Sequence, residues 1–325
     1  MSASPASVLR IATRRSRLAL WQAEHVASLL RRAHADLKVE LVPIMTQGDR
    51  IQDRSLAAIG GKGLFIKELE VALEEGRADI AVHSMKDVPG EIPPGFRIVA
   101  VLERADPRDA LLTTAAAHPD AHRDAHRDAR GLHELPQGAR VGTSSLRRQA
   151  QLLAARPDLT MEALRGNVDT RLRRLDAGEM DAIVLACAGL IRLGLESRIT
   201  ARLEPEISLP AVAQGVIGIE CRSADSRIHG LAGVLDHAVT RIAMEAERAF
   251  AHRLGGSCQS PIAAHARLEG KELILHGLVA EPDGSRLLRG TLRGAIDDPA
   301  ALGRELAEQI LAAGAGPLLE RLRAG

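Results

Sequence analysis

Cys258 lies in a glycine-containing turn, residues 254–262 (LGGSCQSPI), that closes a long predicted helix just before an apolar strand. The two glycines can adopt positive φ angles at a helix C-terminus, and Pro261 prevents the helix from resuming. The turn therefore predicts a defined corner that presents one thiol, to which chemistry could be tethered. A cysteine in such a turn is more often a small apolar residue than a reactive one, so local pattern leaves both interpretations open.

Lys86 and Asp87 follow an apolar segment directly. Residues 78–82 (ADIAV) predict a strand, and HSMKDVP (83–89) leaves its C-terminal end. In open α/β sheets, ligands bind in the crevice beyond the carboxyl ends of the strands. This position would give a binding crevice one amine and one carboxylate, while an exposed ion pair or a turn-capping aspartate is the alternative. We interpret His83 as a structural or supporting residue.

Six arginines fall where a predicted strand passes into a predicted helix. The free N–H groups and the positive dipole end of a helix N-terminus suit a bound anion, although a solvated basic turn is the alternative for the first loop, TRRSR (13–17). Two adjacent arginines in a first turn, as in VGTSSLRRQ (141–149), oppose the helix dipole, and an anionic ligand would relieve that conflict. Two units facing each other would form an arginine-walled cleft suited to a substrate with several carboxylates. The six are Arg14, Arg147, Arg148, Arg165, Arg171 and Arg192.

Two similar α/β units would position these residues. The first has strands at 8–13, 37–45 and 78–82 that alternate with helices, and the second begins at the strand around residue 140. LPAVAQG (209–215) leads to a strand at 216–221, whose place after the second unit predicts a return into the first domain.

The C-terminal part has a different pattern. Strands at 262–268, 271–280 and 285–292 predict an antiparallel meander, and Asp298 with Pro299 predicts the capped start of a closing helix. Strands followed by a helix predict a separate α+β domain.

Two segments could be interpreted as a phosphate-binding loop and as a metal site. GGKG (60–63) does not fit a Walker phosphate loop because Gly63 stands where that motif needs Ser or Thr, so we predict a lid loop followed by a helix at 64–75. An imperfect Ala-His-Arg-Asp repeat at 118–129 spaces histidines at i, i+4 and i+8, which could line one helix face and bind a metal. Repeats of this kind are more often solvated low-complexity insertions.

Composition restricts the class of protein. The 325 residues are 46% hydrophobic and 26% charged with a net charge of +1, which is typical of a globular protein without bias toward nucleic acid or anionic membrane. Aromatic residues make up 1%, too few for a base-stacking groove. The cysteines at 187, 221 and 258 have no C-x-x-C spacing, and we find no secretory signal or membrane-length apolar run. We therefore expect a cytoplasmic protein whose cysteines are reduced.

Seven blocks resemble the porphobilinogen deaminase (hydroxymethylbilane synthase) family. They occur in the family's order and span nearly the whole chain. The blocks are IATRRSRLALWQA (11–23), GGKGLFIKELE (60–70), HSMKDVP (83–89), VGTSSLRRQ (141–149), LRGN (164–167), ISLPAVAQGVIGIE (207–220) and GSCQSPI (256–262).

The resemblance implies a transferase of porphyrin and tetrapyrrole (haem) biosynthesis that joins four porphobilinogen molecules head to tail and releases ammonia at each step. It implies a dipyrromethane cofactor bound by a thioether to Cys258, a catalytic Asp87, and a lid loop containing Lys62 and Phe65. Residues that match the family's cofactor- and substrate-binding positions are Arg14, Ser16, Lys86, Thr143, Ser144, Ser145, Arg147, Arg148, Arg165, Gly166, Asn167, Arg171, Arg192 and Gln214. No metal, nucleic acid or membrane partner is implied, and a monomer is expected.

The resemblance also implies a division into domains. The predicted fold class is α/β, with two domains built like periplasmic binding proteins and a C-terminal α+β domain. We predict domain 1 at 1–103 and 213–233, domain 2 at 104–212 with a low-complexity insertion at about 115–130, and domain 3 at 234–325. The insertion is longer than the family's usual link and leaves the boundary between domains 1 and 2 open by several residues.

Two other functions stay open at this point. A non-catalytic anion receptor would explain the arginines but neither Cys258 nor the third domain, and an enzyme could instead use Lys86 for Schiff-base chemistry.

Overall fold

The computed structural model describes residues 8–50, 66–114, 130–256 and 260–324. In chain order, its strands are β1 (Val8–Arg14), β2 (Lys38–Ile44), β3 (Ile80–Ser84), β4 (Phe96–Val101), β5 (Asp109–Thr113), β6 (Arg140–Gly142), β7 (Thr160–Glu162), β8 (Ala182–Ala186), β9 (Ala201–Leu203), β10 (Ile217–Arg222), β11 (Ile262–Glu269), β12 (Glu272–Ala280) and β13 (Leu287–Ala295). Its α-helices are α1 (Arg17–Ala33), α2 (Gln47–Arg50), α3 (Lys67–Glu74), α4 (Arg130–His133), α5 (Leu146–Ala155), α6 (Val168–Asp176), α7 (Cys187–Arg192), α8 (Ser226–Gly233), α9 (Ala238–Arg253), α10 (Pro299–Ile310) and α11 (Gly316–Ala324).

The first sheet has the strand order β2-β1-β3-β10-β4 within the described residues. Strand β1 is parallel to β2 and β3, whereas β10 enters between β3 and β4 and is antiparallel to both. Apolar side chains such as Ile11, Val82 and Ile219 pack on one face against Val26 and Leu30 of α1. The predicted return of the chain into the first sheet is confirmed.

The second sheet repeats this plan. Its order is β7-β6-β8-β5-β9 in the described chain, with β6 parallel to β7 and β8 and with β5 antiparallel to β8 and β9. Each sheet thus begins with three mutually parallel strands, β2-β1-β3 in the first and β7-β6-β8 in the second. An antiparallel strand, β10 or β5, follows beside the last of the three. The carboxyl ends of the parallel strands meet at one edge of each sheet, where the connections to the helices begin.

The third sheet is an antiparallel meander of β11, β12 and β13. Phe250 of α9 and Leu306 of α10 pack on it, and a side chain at Gly277 would lie 2.7 Å from the Phe250 ring. Asp298 caps α10 by accepting a hydrogen bond from the Ala301 N–H (2.9 Å), directly before Pro299. The predicted meander and the predicted cap are both confirmed.

The chain separates into two compact units. Unit 1 is Met1–Arg104 with Val216–Arg241, and unit 2 is Ala105–Gly215 with Ile242–Gly325. Unit 2 contains the second and third sheets, which share a small apolar cluster that includes Ala150 of α5 and Leu278 of β12. The predicted fold class of two α/β domains and a C-terminal α+β domain is confirmed by the three sheets, and the domain boundaries stay a prediction.

Candidate functional site

The edge of the unit 1 sheet carries the first group of predicted residues. Arg14 ends β1, and Ser16 caps α1 by accepting a hydrogen bond from the Ala19 N–H (3.3 Å). Lys86 and Asp87 lie in a single 3-10 turn, Met85–Asp87, that follows β3. Because β1 and β3 are parallel neighbours, both loops emerge at the same edge.

A cavity of about 60 Å³ lies at this edge. It brings together three of the predicted residues, Arg14, Ser16 and Asp87, while Lys86 is not part of its lining. The complete lining is Arg14, Ser16, Leu18, Ala19, Gln22, Ile66, Val82, His83, Ser84 and Asp87. A cation and a carboxylate thus face one small, partly apolar space, which suits an organic ligand with charge of both signs.

Seven of the ten lining residues were not among the predicted ligand-binding residues, and three of these seven, Gln22, His83 and Ser84, are polar. Gln22 is 2% exposed and donates a hydrogen bond from Nε2 to Ser84 Oγ (2.8 Å). His83 is bonded through Nε2 to Glu220 Oε2 (2.7 Å). A polar residue on the inward face of a predicted amphipathic helix was the available signal for Gln22, and a histidine that continues an apolar strand was the signal for His83.

The edge of the unit 2 sheet carries the hydroxyl residues of the VGTSS block. Ser145 caps α5 through the Arg148 N–H (3.4 Å), and Thr143 Oγ1 accepts from the Ser145 N–H (3.2 Å). Ser144 donates its hydroxyl hydrogen to the Leu164 carbonyl (2.9 Å), which joins the loop after β6 to the loop after β7. These bonds fix the two loops side by side.

The loop after β7 contains a glycine that no other residue could replace without strain. Gly166 has φ +104°, and a Cβ there would lie 2.8 Å from a Thr170 methyl group. Asn167 then caps α6 by accepting from the Thr170 N–H (2.9 Å), and Arg171 donates from Nε to the Gly166 carbonyl (2.8 Å). Arg165 precedes this turn and is half-buried.

Arg147 and Arg148 converge on a carboxylate of the chain itself, Asp109. Arg147 Nη1 donates to Asp109 Oδ2 (2.8 Å) and Arg148 Nη2 to Asp109 Oδ1 (2.7 Å), and all three side chains are buried. Ser208 and Gln214 also donate to this carboxylate (2.8 and 2.9 Å). Asp109 therefore supplies the anion that the paired arginines were predicted to need. Two guanidinium groups share one carboxylate, so this cluster carries a net charge of +1.

The neighbouring arginine charges keep the Asp109 carboxyl group ionised. Burial alone would raise the pKa of Asp109, but the charges and hydrogen bonds of Arg147 and Arg148 lower that pKa far below its ordinary value. Burial also lowers the pKa of Arg147. We expect Asp109→Asn to reduce the free energy of unfolding by about 3–5 kcal/mol, because it leaves buried guanidinium charges without a carboxylate. Urea unfolding at neutral pH measures this loss.

The pH dependence of this loss provides a second measurement. Because the pKa of Asp109 is lower when folded than when unfolded, its stabilisation is present above about pH 4 and disappears as the pH falls further. Asp176→Asn is the matched control, since that exposed carboxylate pairs with Arg198 at the surface of the same unit and should cost about 0–1 kcal/mol. Equal losses in the two variants would contradict the role of Asp109.

Arg192 differs from the other arginines of this edge. It lies at the end of α7 and donates from Nη2 to the Gly215 carbonyl (2.6 Å), and no carboxylate pairs with it among the described residues. Burial lowers its pKa to about 10. Gln214, next to Gly215, donates to the Pro107 carbonyl (2.7 Å) as well as to Asp109. A partly desolvated guanidinium without a carboxylate is a suitable partner for a ligand carboxylate.

The thiols of unit 1 and unit 2 that the structure describes are buried. Burial raises the pKa of Cys187 to about 12 and that of Cys221 to about 11. Neither is therefore a suitable nucleophile at neutral pH. Cys258, Lys62, Phe65 and residues 115–129 of the predicted insertion lie outside the described residues.

Within the described ranges, no helix combines the length and the apolar character that crossing a membrane requires. In the same residues, no group of three or more His, Cys, Asp or Glu side chains could hold a metal ion.

The chain was compared with known proteins. Residues 9–230 match the family model "Porphobilinogen deaminase, dipyromethane cofactor binding domain", and residues 241–312 match "Porphobilinogen deaminase, C-terminal domain". Proteins named porphobilinogen deaminase from Xanthomonas axonopodis pv. citri (strain 306) and Xanthomonas campestris pv. campestris (strain B100) are each 56% identical over 316 residues, which cover 97% of this chain and 100% of theirs.

Solved structures give a weaker similarity. The BvgS periplasmic VFT2 domain of Bordetella pertussis is 16% identical with a TM-score of 0.40, covering 70% of this chain and 85% of that one. The BenM effector binding domain with its effector benzoate is 17% identical with a TM-score of 0.42, covering 69% of this chain and 87% of that one.

Proposed function

Because the chain belongs to the porphobilinogen deaminase family, we propose that it condenses four porphobilinogen molecules head to tail, with release of ammonia, and forms hydroxymethylbilane. The family makes it an enzyme of tetrapyrrole synthesis with a dipyrromethane cofactor. The observation that carries the proposal is the cavity in which Asp87 and Arg14 meet at the carboxyl edge of the first sheet.

The donor set of unit 2 fits the cofactor and the growing chain, whose pyrroles carry acetate and propionate groups. Arg192 is a partly buried cation without a carboxylate among the described residues, and the Asp109 cluster has one positive charge in excess. Arg165, Arg171, Lys86 and the hydroxyl residues Thr143, Ser144 and Ser145 would complete the set, with Gly166 and Asn167 shaping one loop. When bound, the cofactor supplies the pyrrole end to which substrate is joined.

Asp87 would stabilise charge that develops on the substrate. When ammonia leaves porphobilinogen, positive charge spreads over the pyrrole, and a carboxylate fixed in a small, partly apolar cavity lowers the free energy of that cation. Arg14 and Ser16 line the same cavity and would orient the substrate through its carboxylates. The Asp87 turn and the Arg14 loop are held by neighbouring strands, so their separation is set before substrate binds.

Cys258 would anchor the cofactor. Of the three cysteines of the chain, Cys187 and Cys221 are buried and their raised pKa values keep them protonated. The buried thiols are therefore unsuitable, in agreement with the resemblance, which implies Cys258 as the thiol of the thioether bond. Lys62 and Phe65 would belong to a loop that covers the bound substrate.

The intact mass of the purified protein tests this proposal. We expect an increment of two pyrrole units that proteolysis and tandem mass spectrometry assign to Cys258, together with release of ammonia from porphobilinogen. A protein with the unmodified mass and no product after incubation with porphobilinogen would contradict the proposed function. The monomeric state, the cytoplasmic location and the absence of nucleic-acid and membrane partners stay predictions.

A further inference from the structure

His83 and Glu220 form a buried polar pair behind the Asp87 cavity. They lie on the neighbouring antiparallel strands β3 and β10, with Gly218 opposite His83 and Glu220 opposite Ala81. The two side chains are 5% and 1% exposed, and 2.7 Å separates His83 Nε2 from Glu220 Oε2. The pair is therefore shielded from solvent except where His83 reaches the cavity.

Burial of the His83–Glu220 pair costs free energy of folding. Glu220 Oε1 is buried and has no hydrogen-bond partner among the described residues. A buried carboxylate oxygen without a partner costs free energy that a well-packed apolar residue would not. Stability alone does not explain an acid at this position, which suggests that its charge is used.

The hydrogen bond fixes which nitrogen of His83 is basic. A carboxylate only accepts, so Nε2 carries a hydrogen and donates it to Glu220 Oε2, and the lone pair is on Nδ1. No hydrogen bond to Nδ1 is found within the described residues. In the described cavity lining, the ionisable side chains are the His83 imidazole, the Asp87 carboxylate and the Arg14 guanidinium.

Several ionisable groups surround the imidazole. Glu220 contacts His83 from β10, and Glu70 on α3 lies close enough that burial and the charge of Glu220 raise its pKa while His83 lowers it. Asp87 and Arg14 complete the charged groups that share the cavity with His83. The described ionisable groups around His83 are therefore Glu220, Glu70, Asp87 and Arg14.

The proposed reaction creates a proton in every round. Joining two porphobilinogen units forms a C–C bond between the aminomethyl carbon of one and the free α-carbon of the other. The aminomethyl group reacts in its ammonium form: the C–N bond breaks with its electron pair on nitrogen, which leaves as ammonia, and the C–H bond at the α-carbon breaks with loss of a proton. The resemblance gives Asp87 a part in proton transfer as well as in stabilising the cation, and a second acceptor in the same cavity would leave that carboxylate available for the next cation.

We propose that His83, oriented by Glu220, is a second proton-transfer residue of this cavity and accepts the proton on Nδ1. This inference rests on the proposed function. Glu220 acts through His83, as a positioning residue whose carboxylate stabilises the imidazolium. The pair returns to its neutral-imidazole form when the proton passes to solvent or to ammonia.

His83→Gln and Glu220→Gln test the proposal. Glutamine at position 83 can keep an amide donor toward Glu220 but cannot accept the proton, so we expect kcat to fall by about 100-fold with KM changed less than about twofold. In His83→Gln, the decrease of kcat at acid pH (the acid limb) should disappear from the pH profile. Glu220→Gln should move that limb to lower pH, because loss of the neighbouring negative charge makes the imidazole a weaker base.

Imidazole nitrogen NMR gives a readout that does not depend on turnover. With ¹⁵N-labelled histidine, the signal of one imidazole that is missing in His83→Gln should show Nε2 carrying a hydrogen throughout and Nδ1 gaining one as the pH falls. His252→Gln is the matched control, an exposed histidine at the end of α9 that should change neither the profile nor that signal.

Three results would overturn the inference. They are unchanged kcat and acid limb in His83→Gln, an unshifted acid limb in Glu220→Gln, or no titration at Nδ1 of His83 in the wild-type protein. The last two decide the matter even if His83→Gln does not fold. Each is distinguishable from failure of the proposed function, in which the wild-type protein itself would form no product.

Discussion

Asp87→Asn is expected to lower kcat by about 100- to 1,000-fold while the protein keeps its folded structure and its pyrrole increment. Asparagine has nearly the same shape as aspartate but no charge, so it can occupy the 3-10 turn after β3 without stabilising a cation in the cavity. The loss should therefore appear in kcat more than in KM, since the substrate carboxylates still meet Arg14. Single-turnover release of ammonia, with the intact mass measured on the same sample, checks both parts.

The matched control for this variant is Asp297→Asn. Asp297 is exposed in the turn after β13, within the third-sheet region, and its neutralisation removes one negative charge from the chain as Asp87→Asn does. We expect wild-type kcat in the control. Wild-type kcat in Asp87→Asn would remove this carboxylate from the chemistry, and a lost pyrrole increment would mean that Asp87 acts in cofactor assembly instead.

The order of elements could be predicted from the sequence because it depends on local patterns. Apolar runs and turn residues placed β1, β3 and β10 and the C-terminal meander within a few residues of their observed bounds. The return of β10 to the first domain was predicted from its late position in the chain, and the structure adds its place between β3 and β4. A local pattern also predicted the cap at Asp298, since its carboxylate accepts from a nearby N–H group, whereas the cap at Ser16 was found only in the structure.

The partners of the predicted site residues could not be predicted in this way. Arg147 and Arg148 were correctly recognised as a local electrostatic conflict, but the carboxylate that relieves it, Asp109, is 38 and 39 residues away along the chain. Glu220 is 137 residues from His83. Pairs so distant become visible only when strands are set side by side, and no periodicity encodes them. The chemistry of a side chain was therefore predictable, whereas its protonation partner was not.

Polar residues in the blocks that resemble the family have two different roles in the described structure: some cap helices, and others are suited to bind a ligand. Ser145 and Asn167 satisfy the first N–H groups of α5 and α6, so part of each block maintains the loops. Arg192 bonds one backbone carbonyl and is desolvated without a carboxylate among the described residues, which is an arrangement that stability does not require. This difference ranks Arg192 above the capping residues as a contact for the carboxylates of the cofactor or substrate.

Cys258→Ala is expected to abolish the pyrrole increment and, with it, turnover. A thioether needs sulfur, and the other two thiols cannot replace it because Cys187 and Cys221 are both fully buried. Cys221→Ala is the matched control: it removes a thiol from the core of unit 1 at a cost of about 1 kcal/mol or a little more, and should keep the full increment. Intact mass and the colour reaction of pyrroles, measured on both variants, check the prediction.

The two variants together separate anchoring from catalysis. If Cys258→Ala loses the increment while Asp87→Asn keeps it, the thiol and the carboxylate act in different steps, and the loss of activity in Asp87→Asn cannot be attributed to unfolding. An increment that persists in Cys258→Ala would place the attachment on another residue and would contradict the thioether. An increment lost in Cys221→Ala as well would mean that attachment depends on the unit 1 core rather than on one thiol, because that side chain lies among apolar neighbours and faces no solvent.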